Sequence, residues 1–251
     1  MARRPPLGQH FLATTYYADR AVEAANLTAD DTVLEIGPGK GVLTKRLAAL
    51  AGKVVCIELD DALADDLPTW APNNVRLVRG DAVTAPWPDF TACVANLPYQ
   101  ISSPFLFRLL TCEFRVAVLL VQREFADRLI AKVDSKQYGR LSINAQRRAH
   151  IERIVKVPPG AFAPPPKVDS AIVRVTPKAP EFEVADEALY EQVVLAAFNA
   201  RRKKLSNGLR SLPAPWRDLA ADVPGANQRP GELSPADFAA VVAYLVEAAR
   251  T

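Results

Sequence analysis

The tetrapeptide Asn96-Leu97-Pro98-Tyr99 gathers an amide oxygen, backbone carbonyls beside a rigid proline, and an aromatic ring within four residues. This set suits an aminated heteroaromatic base. The lone pair of an exocyclic nitrogen such as N6 of adenine is delocalised into its ring. Attack on a methyl sulfonium is helped when acceptors draw both N–H bonds out of the ring plane. The Asn96 side-chain oxygen and a carbonyl of Leu97 or Pro98 can take those two bonds, while Tyr99 offers a face for the base. Neither a metal nor a strong base is needed. The competing reading is a strand-end turn with a core tyrosine.

A second set precedes it. Thr32 to Ile36 is a short β-rich run that enters Gly37-Pro38-Gly39-Lys40-Gly41, and Val42 to Leu50 follows with helical spacing. A strand, a tight glycine loop and a helix place small residues where backbone must approach a ligand, and aim helix N–H groups at it. A dinucleotide loop would need glycine where Val42 stands, and the Gly-Lys-Ser/Thr ending of a Walker loop is absent. That leaves a nucleotide-like cofactor other than NAD or ATP, with a turn-forming glycine cluster as the plain alternative. Glu58, ending the next strand, can accept both hydroxyls of a ribose, and Asp81, ending the one after, can accept from an adenine amino group. Either carboxylate alone could merely cap the helix that follows; both in register with the glycine loop favour the cofactor.

The elements that must position these residues alternate. Compact apolar runs at Lys53 to Leu59, Val75 to Arg79, Ala92 to Ala95 and Val116 to Gln122 are mostly separated by helix-compatible segments, and a helical rhythm over Tyr16 to Asn26 precedes them. An α/β fold follows, with a mainly parallel, doubly wound sheet covered on both faces. Ile151 to Val157 and Ser170 to Val175, divided by the proline-rich Pro158 to Lys167, predict a closing pair at the sheet edge. A break at Pro177 to Pro180 starts a small helical domain with helices at Asp186 to Arg210, Trp216 to Asp222 and Pro235 to Arg250, the last capped by Ser234.

Composition bounds the rest. A chain of 251 residues, 49% hydrophobic and 24% charged, supports one sizeable core and a small appended domain. No apolar run is long enough for a membrane span and the start lacks the apolar stretch of a signal peptide, so a cytoplasmic protein without a membrane partner is expected. Cys56, Cys93 and Cys112 are odd in number and widely spaced, which predicts neither a disulfide framework nor a metal site. The net charge of +3 decides little, but basic clusters at Arg3/Arg4, Arg123/Arg128/Lys132, Arg140/Arg147/Arg148 and Arg201 to Lys204 suit phosphate contacts. Each cluster alone also suits a solvated helix face. No heptad pattern or dimer face stands out, so a monomer is the default.

The glycine loop resembles that of class I S-adenosylmethionine-dependent methyltransferases, whose sheet is Rossmann-like. Further motifs narrow this. Gly8-Gln9-His10-Phe11-Leu12, the Leu34 to Gly39 loop, Asn96 to Tyr99, Tyr138-Gly139-Arg140-Leu141-Ser142 and the stretch from Phe162 to Ala171 fall in the order found in rRNA adenine N6-methyltransferases. The match is similar to the small-subunit branch, in its archaeal form. It implies dimethylation at N6 of two neighbouring adenines near the 3′ end of small-subunit rRNA, with the immature small subunit as partner. By position it implies that His10, Leu12, Gly37, Glu58, Asp81 and Asn96 surround S-adenosylmethionine, and that Tyr99 and Phe162 sandwich the target adenine. Phe162 has a rival reading as a core aromatic beside a proline turn. The implied domains are a catalytic one over 1–178 and a helical rRNA-binding one over 179–251. Three rivals stay open: a large-subunit rRNA adenine methyltransferase, disfavoured by the Tyr138 and Pro164 stretches; a DNA adenine methyltransferase; and an assembly factor that binds pre-rRNA with incidental or no methylation.

Overall fold

The computed structural model describes residues 9–250; Arg3, Arg4 and Gly8 lie outside them. Two compact units emerge, one from residues up to 126 together with 149–177, the other from 127–148 together with 178 onward.

In the first unit the chain forms β1 (Phe11–Leu12), α1 (Thr15–Ala25), β2 (Thr32–Ile36), α2 (Thr44–Leu50), β3 (Lys53–Glu58), α3 (Asp61–Trp70), β4 (Val75–Arg79), β5 (Ala92–Asn96), α4 (Ser102–Leu109), β6 (Val116–Gln122) and α5 (Arg123–Leu129), the last running across the boundary. After an excursion through α6 (Arg140–Arg148) it returns with β7 (Ala149–Val157), β8 (Phe162–Ala163) and β9 (Ser170–Pro177). Seven strands make one sheet in the order β4-β3-β2-β5-β6-β9-β7. The pairs from β4 to β6 are parallel, while β9 runs antiparallel to both β6 and β7. The closing antiparallel pair therefore sits at the edge, as the sequence predicts.

The central strands are buried along all but their end residues, which is why Val116 to Val121 reads as one apolar run rather than an alternation. From β2 the chain winds outward through β3 and β4, then crosses back to β5 and β6. Right-handed crossovers in opposite directions put their helices on opposite faces and open a crevice beyond the carboxyl ends of β2 and β5. On α1, Ala18, Ala21, Val22 and Ala25 recur at helical spacing and are the buried residues. A separate two-stranded ribbon pairs Leu12 with Phe162 and Phe11 with Ala163.

The second unit holds α6, α7 (Glu187–Asn199), α8 (Leu205–Leu209) and α9 (Pro235–Ala248) around a core of its own. Ser234 caps α9 as predicted, its hydroxyl accepting from the Asp237 N–H at 3.2 Å while the Asp237 carboxylate accepts from the Ser234 N–H. Three expectations are corrected. The helix expected over Asp186 to Arg210 is two, broken where four adjacent cations, Arg201 to Lys204, form the turn. The break folds α8 back so closely that a Cβ on Gly208 would lie 3.0 Å from the Ala196 carbonyl oxygen. Trp216 to Asp222 is a succession of turns, since Pro213 and Pro215 offer no N–H and the bonds that form mostly span three residues. The boundary expected at 178 is one of three. Residues 127–148 belong with the helices because Tyr138 and Ile143 are buried in the helical core, with the Tyr138 hydroxyl donating to the Leu233 carbonyl at 3.0 Å.

Candidate active site

The glycine loop bends through three positive φ values, +64° at Gly37, +53° at Gly39 and +77° at Gly41, closed by the Gly41 N–H on the Pro38 carbonyl at 2.9 Å. The three glycines serve different neighbours. A Cβ at 39 would stand 2.9 Å from the Phe11 ring and one at 41 would stand 2.3 Å from the Trp70 ring, whereas at 37 nothing lies within 4 Å. Two of them let an aromatic ring lie on the loop, and Gly37 faces open space.

That space is a cavity of about 270 Å³ lined by apolar Ile36, Ile57, Ala82 and Ile101 and by Gly37, Glu58, Asp81 and Pro98 among others. A smaller one, sharing Gln9, Gly37, Glu58 and Pro98, is lined also by His10, Phe11, Asn96, Leu97 and Tyr99. A third recess brings Leu12 and Glu35 to Asn96, so Asn96 faces two of the three.

Glu58 is 5% exposed. One carboxylate oxygen accepts from the Leu59 and Asp60 N–H groups, both at 2.9 Å, and the other from the Gly39 N–H at 3.4 Å. It does not cap α3; Asp60 does, accepting from Ala62 and Leu63. Burial raises the Glu58 carboxyl above its ordinary range, and the three N–H groups pull the other way. Asp81 holds the Val83 N–H at 2.8 Å with Oδ1 and caps a turn rather than a helix. Glu35, 1% exposed and facing the third recess, accepts from the Cys56 thiol at 3.4 Å. Burial, with the nearby Glu58 charge adding to it, pushes the Glu35 carboxyl up to about 7.

At the end of β5 the Asn96 Nδ2 donates to the His10 carbonyl at 3.0 Å. With the donor end of the amide occupied, Oδ1 is the end free to accept. The Leu97 N–H donates to the Leu120 carbonyl at 3.1 Å and the Pro98 carbonyl accepts from the Ile101 N–H at 3.1 Å, which leaves each carbonyl of this loop with acceptor capacity for a second donor. Tyr99 is half-buried, its hydroxyl 2.6 Å from the Ser170 Oγ. The His10 ring lies 5.9 Å from the Tyr99 ring, with Nδ1 on the Pro164 carbonyl at 2.8 Å.

The structure thus brings His10, Leu12, Gly37, Glu58, Asp81, Asn96, Leu97, Pro98 and Tyr99 to one end of the sheet. Phe162 is placed differently. It is 4% exposed, packed in the core of this unit opposite Leu12, and lines none of these three recesses, so here it takes the core position that was its rival reading. Gln9, Glu35 and Ser170 stood inside the motifs without being singled out. Trp70 carried no signal, because only folding brings its ring onto Gly41. Among the described residues no group of three or more His, Cys, Asp or Glu is arranged to hold a metal ion, and no helix is long and apolar enough to cross a membrane.

A family model described as ribosomal RNA adenine dimethylase matches residues 2–245. The chain belongs to the ribosomal RNA adenine dimethylase family. It is 42% identical over 250 residues to a Pyrococcus abyssi protein named "Probable ribosomal RNA small subunit methyltransferase A", covering 96% of this chain and 91% of that one. A Methanosarcina mazei protein of the same name is 43% identical over 242 residues, covering 93% and 89%. Among solved structures, a dimethyladenosine transferase from Plasmodium falciparum superposes with a TM-score of 0.82 at 30% identity, covering 95% of this chain and 98% of that one. The 23S rRNA methyltransferase ErmE gives 0.68 at 30% identity, covering 94% and 99%. This adenine dimethylase is therefore an enzyme of the class I S-adenosylmethionine-dependent methyltransferase fold.

Proposed function

We propose that this protein dimethylates N6 of two adjacent adenines near the 3′ end of small-subunit rRNA, using S-adenosylmethionine. The observation that carries the chemistry is the Asn96 amide, turned by the His10 carbonyl so that its oxygen is the accepting end beside Tyr99.

The residues present fit the cofactor. Gly37 leaves room where a side chain would fill the cavity, apolar walls suit a purine, and Glu58 and Asp81 are acceptors for ribose hydroxyls and an adenine amino group. His10 lines the adjoining smaller cavity and Leu12 the third recess, both shared with Asn96. The cofactor when bound supplies a methyl group on a sulfonium. Asn96 Oδ1 and the carbonyl of Leu97 or Pro98 accept the two N–H bonds of the target amine and expose its lone pair, Pro98 keeps that loop stiff, and Tyr99 stacks on the flipped base. Ser170 holds the Tyr99 hydroxyl and so anchors the tip of that side chain.

The substrate on this reading is the immature small subunit, and methylation belongs to subunit biogenesis in the cytoplasm, by a monomer. The helical unit supplies phosphate contacts through the turn at Arg201 to Lys204, where Arg202 and Lys203 are exposed.

The test is transfer of labelled methyl from S-adenosylmethionine to purified unmethylated small subunits and, separately, large subunits. N6,N6-dimethyladenosine on the small subunit, reduced about 10²- to 10³-fold by Asn96→Ala with subunit binding retained, is the expected result. Label confined to large subunits, or binding to small subunits without transfer, overturns it.

A further inference from the structure

Arg108 stands on α4, one turn after Phe105, and does not line the cavity that Asp81 and Ala82 line. Both residues meet Trp87, which follows Asp81 in sequence. The guanidinium carbon is 4.2 Å from the Trp87 ring centre, and the Phe105 ring centre is 5.0 Å away. Arg108 Nη1 donates to the carbonyls of Ala82 at 3.1 Å and Val83 at 2.7 Å, and the Trp87 indole N–H donates to the same Ala82 carbonyl at 2.8 Å.

In a trans peptide a C=O and the N–H that follows it point in opposite directions. Two donors that draw the Ala82 carbonyl towards α4 therefore turn the Val83 N–H away from α4. That N–H holds Asp81 Oδ1 at 2.8 Å. The same two donors polarise the peptide and strengthen its N–H as a donor. The chain of contacts runs from Arg108 and Trp87, through one peptide group, to a single carboxylate oxygen. It leaves Oδ2 as the atom Asp81 can offer to a ligand.

We infer that Arg108, assisted by Trp87, is a positioning residue for the adenine end of the cofactor. It acts through the Ala82–Val83 peptide to aim Asp81 at the 6-amino group. The inference rests on the reading in which Asp81 accepts from that amino group. Because α4 starts three residues after Tyr99, the helix that follows the base-holding loop also sets the recognition of the cofactor's own base.

Calorimetric binding of S-adenosylhomocysteine and of its analogue with hydrogen in place of the 6-amino group separates the possibilities. The natural protein is expected to prefer the amino compound by about tenfold or more, since a site built to accept a hydrogen bond rejects a partner lacking the donor. Arg108→Met should raise the Kd for S-adenosylhomocysteine about tenfold and leave the Kd for the analogue within about twofold. Trp87→Phe, which keeps the ring and removes one donor, should move the ratio the same way by less. Equal weakening for both compounds in both variants would mean that Arg108 merely supports the fold, and no change would mean that it does not act on Asp81; either overturns the inference. If the natural protein fails to discriminate, the Asp81 reading falls and this inference with it. If Asp81→Ala abolishes discrimination while Arg108→Met preserves it, only the inference falls.

Discussion

Carboxylates at the two ends of the main sheet are treated in opposite ways. At the amino end, Asp31 accepts from the Thr28 N–H at 2.8 Å, the Thr91 hydroxyl at 2.6 Å and the Arg115 guanidinium at 2.8 Å, and Arg115 also binds the Ala25 and Asn26 carbonyls. Burial raises the Asp31 carboxyl, but those hydrogen bonds and the Arg115 charge outweigh it and leave it below its ordinary value. At the carboxyl end, Glu58 is held by backbone N–H groups and Glu35 by a thiol, and both are shifted up. A carboxylate matched with a cation is committed to the fold. One held by neutral donors in a cavity wall stays uncompensated, which costs stability and keeps it ready for a ligand.

Glu35 tests that contrast most strongly. Its raised folded value means that the folded state holds the proton more tightly than the unfolded chain. Its contribution is therefore most favourable below pH 4.5 and is lost as pH rises through about 7. Glu35→Gln should remove a pH-dependent penalty on the order of 3 kcal/mol, read as a urea midpoint that no longer falls between pH 5 and pH 8. A variant whose midpoint still falls like that of the natural protein would break the contrast. Asp31 carries the opposite sign. Its lowered value gives stability that is present above pH 3.8 and lost as pH falls through the folded value. Asp31→Ala should cost about 2 kcal/mol at pH 7, less than for a fully buried pair because Arg115 is partly exposed, while the Kd for S-adenosylmethionine stays unchanged. Glu58→Gln should reverse that pattern, with affinity for S-adenosylmethionine about tenfold weaker and the thermal midpoint equal or higher. The smallest effect is expected in the helical unit. There Arg147 binds Glu187 at 2.9 and 2.7 Å and holds its carboxyl below the usual range, but Glu187 is exposed to solvent. The Arg147 side chain is itself only 6% exposed, so Glu187→Gln leaves a buried charge without its counter-charge and should cost about 1 kcal/mol at pH 7, a cost that should vanish as pH drops below 4.5 and the natural residue takes up its proton.

What the sequence made legible follows from how local each signal is. Thr32–Ile36, Val75–Arg79 and Val116–Gln122 have the bounds their apolar runs predict; the first and last are buried in the sheet, where a strand needs little but continuous apolar character, while Val75–Arg79 lies at the edge and is bounded by the turns on either side. Glu58, Asp81 and Asn96 were placed by counting along strand ends. Arg108, Trp70 and Ser170 were not, since each acts on a loop distant in sequence and its type alone does not say which. The membership of residues 127–148 was hidden for a related reason: helical periodicity identifies an apolar face but not the core that will receive it. Phe162 lay in a quoted motif, yet its burial depends on pairing with Leu12 about 150 residues earlier.

The backbone passes between the two units three times, near residues 126, 148 and 177. Neither unit can then be released by a single cut. Ending the chain after Pro177 would strand Tyr138 and Ile143 without the helices that bury them, and would leave a soluble-looking fragment with an exposed greasy face. Starting it at Lys178 would give helices lacking part of their interior. A ribosome emitting this chain meets the same constraint in time. The sheet cannot close until β9 has emerged, and by then the first piece of the helical unit has waited some thirty residues for its companions. Evolution of either unit is tied accordingly, because a shuffled copy of one must carry a segment of the other's territory with it.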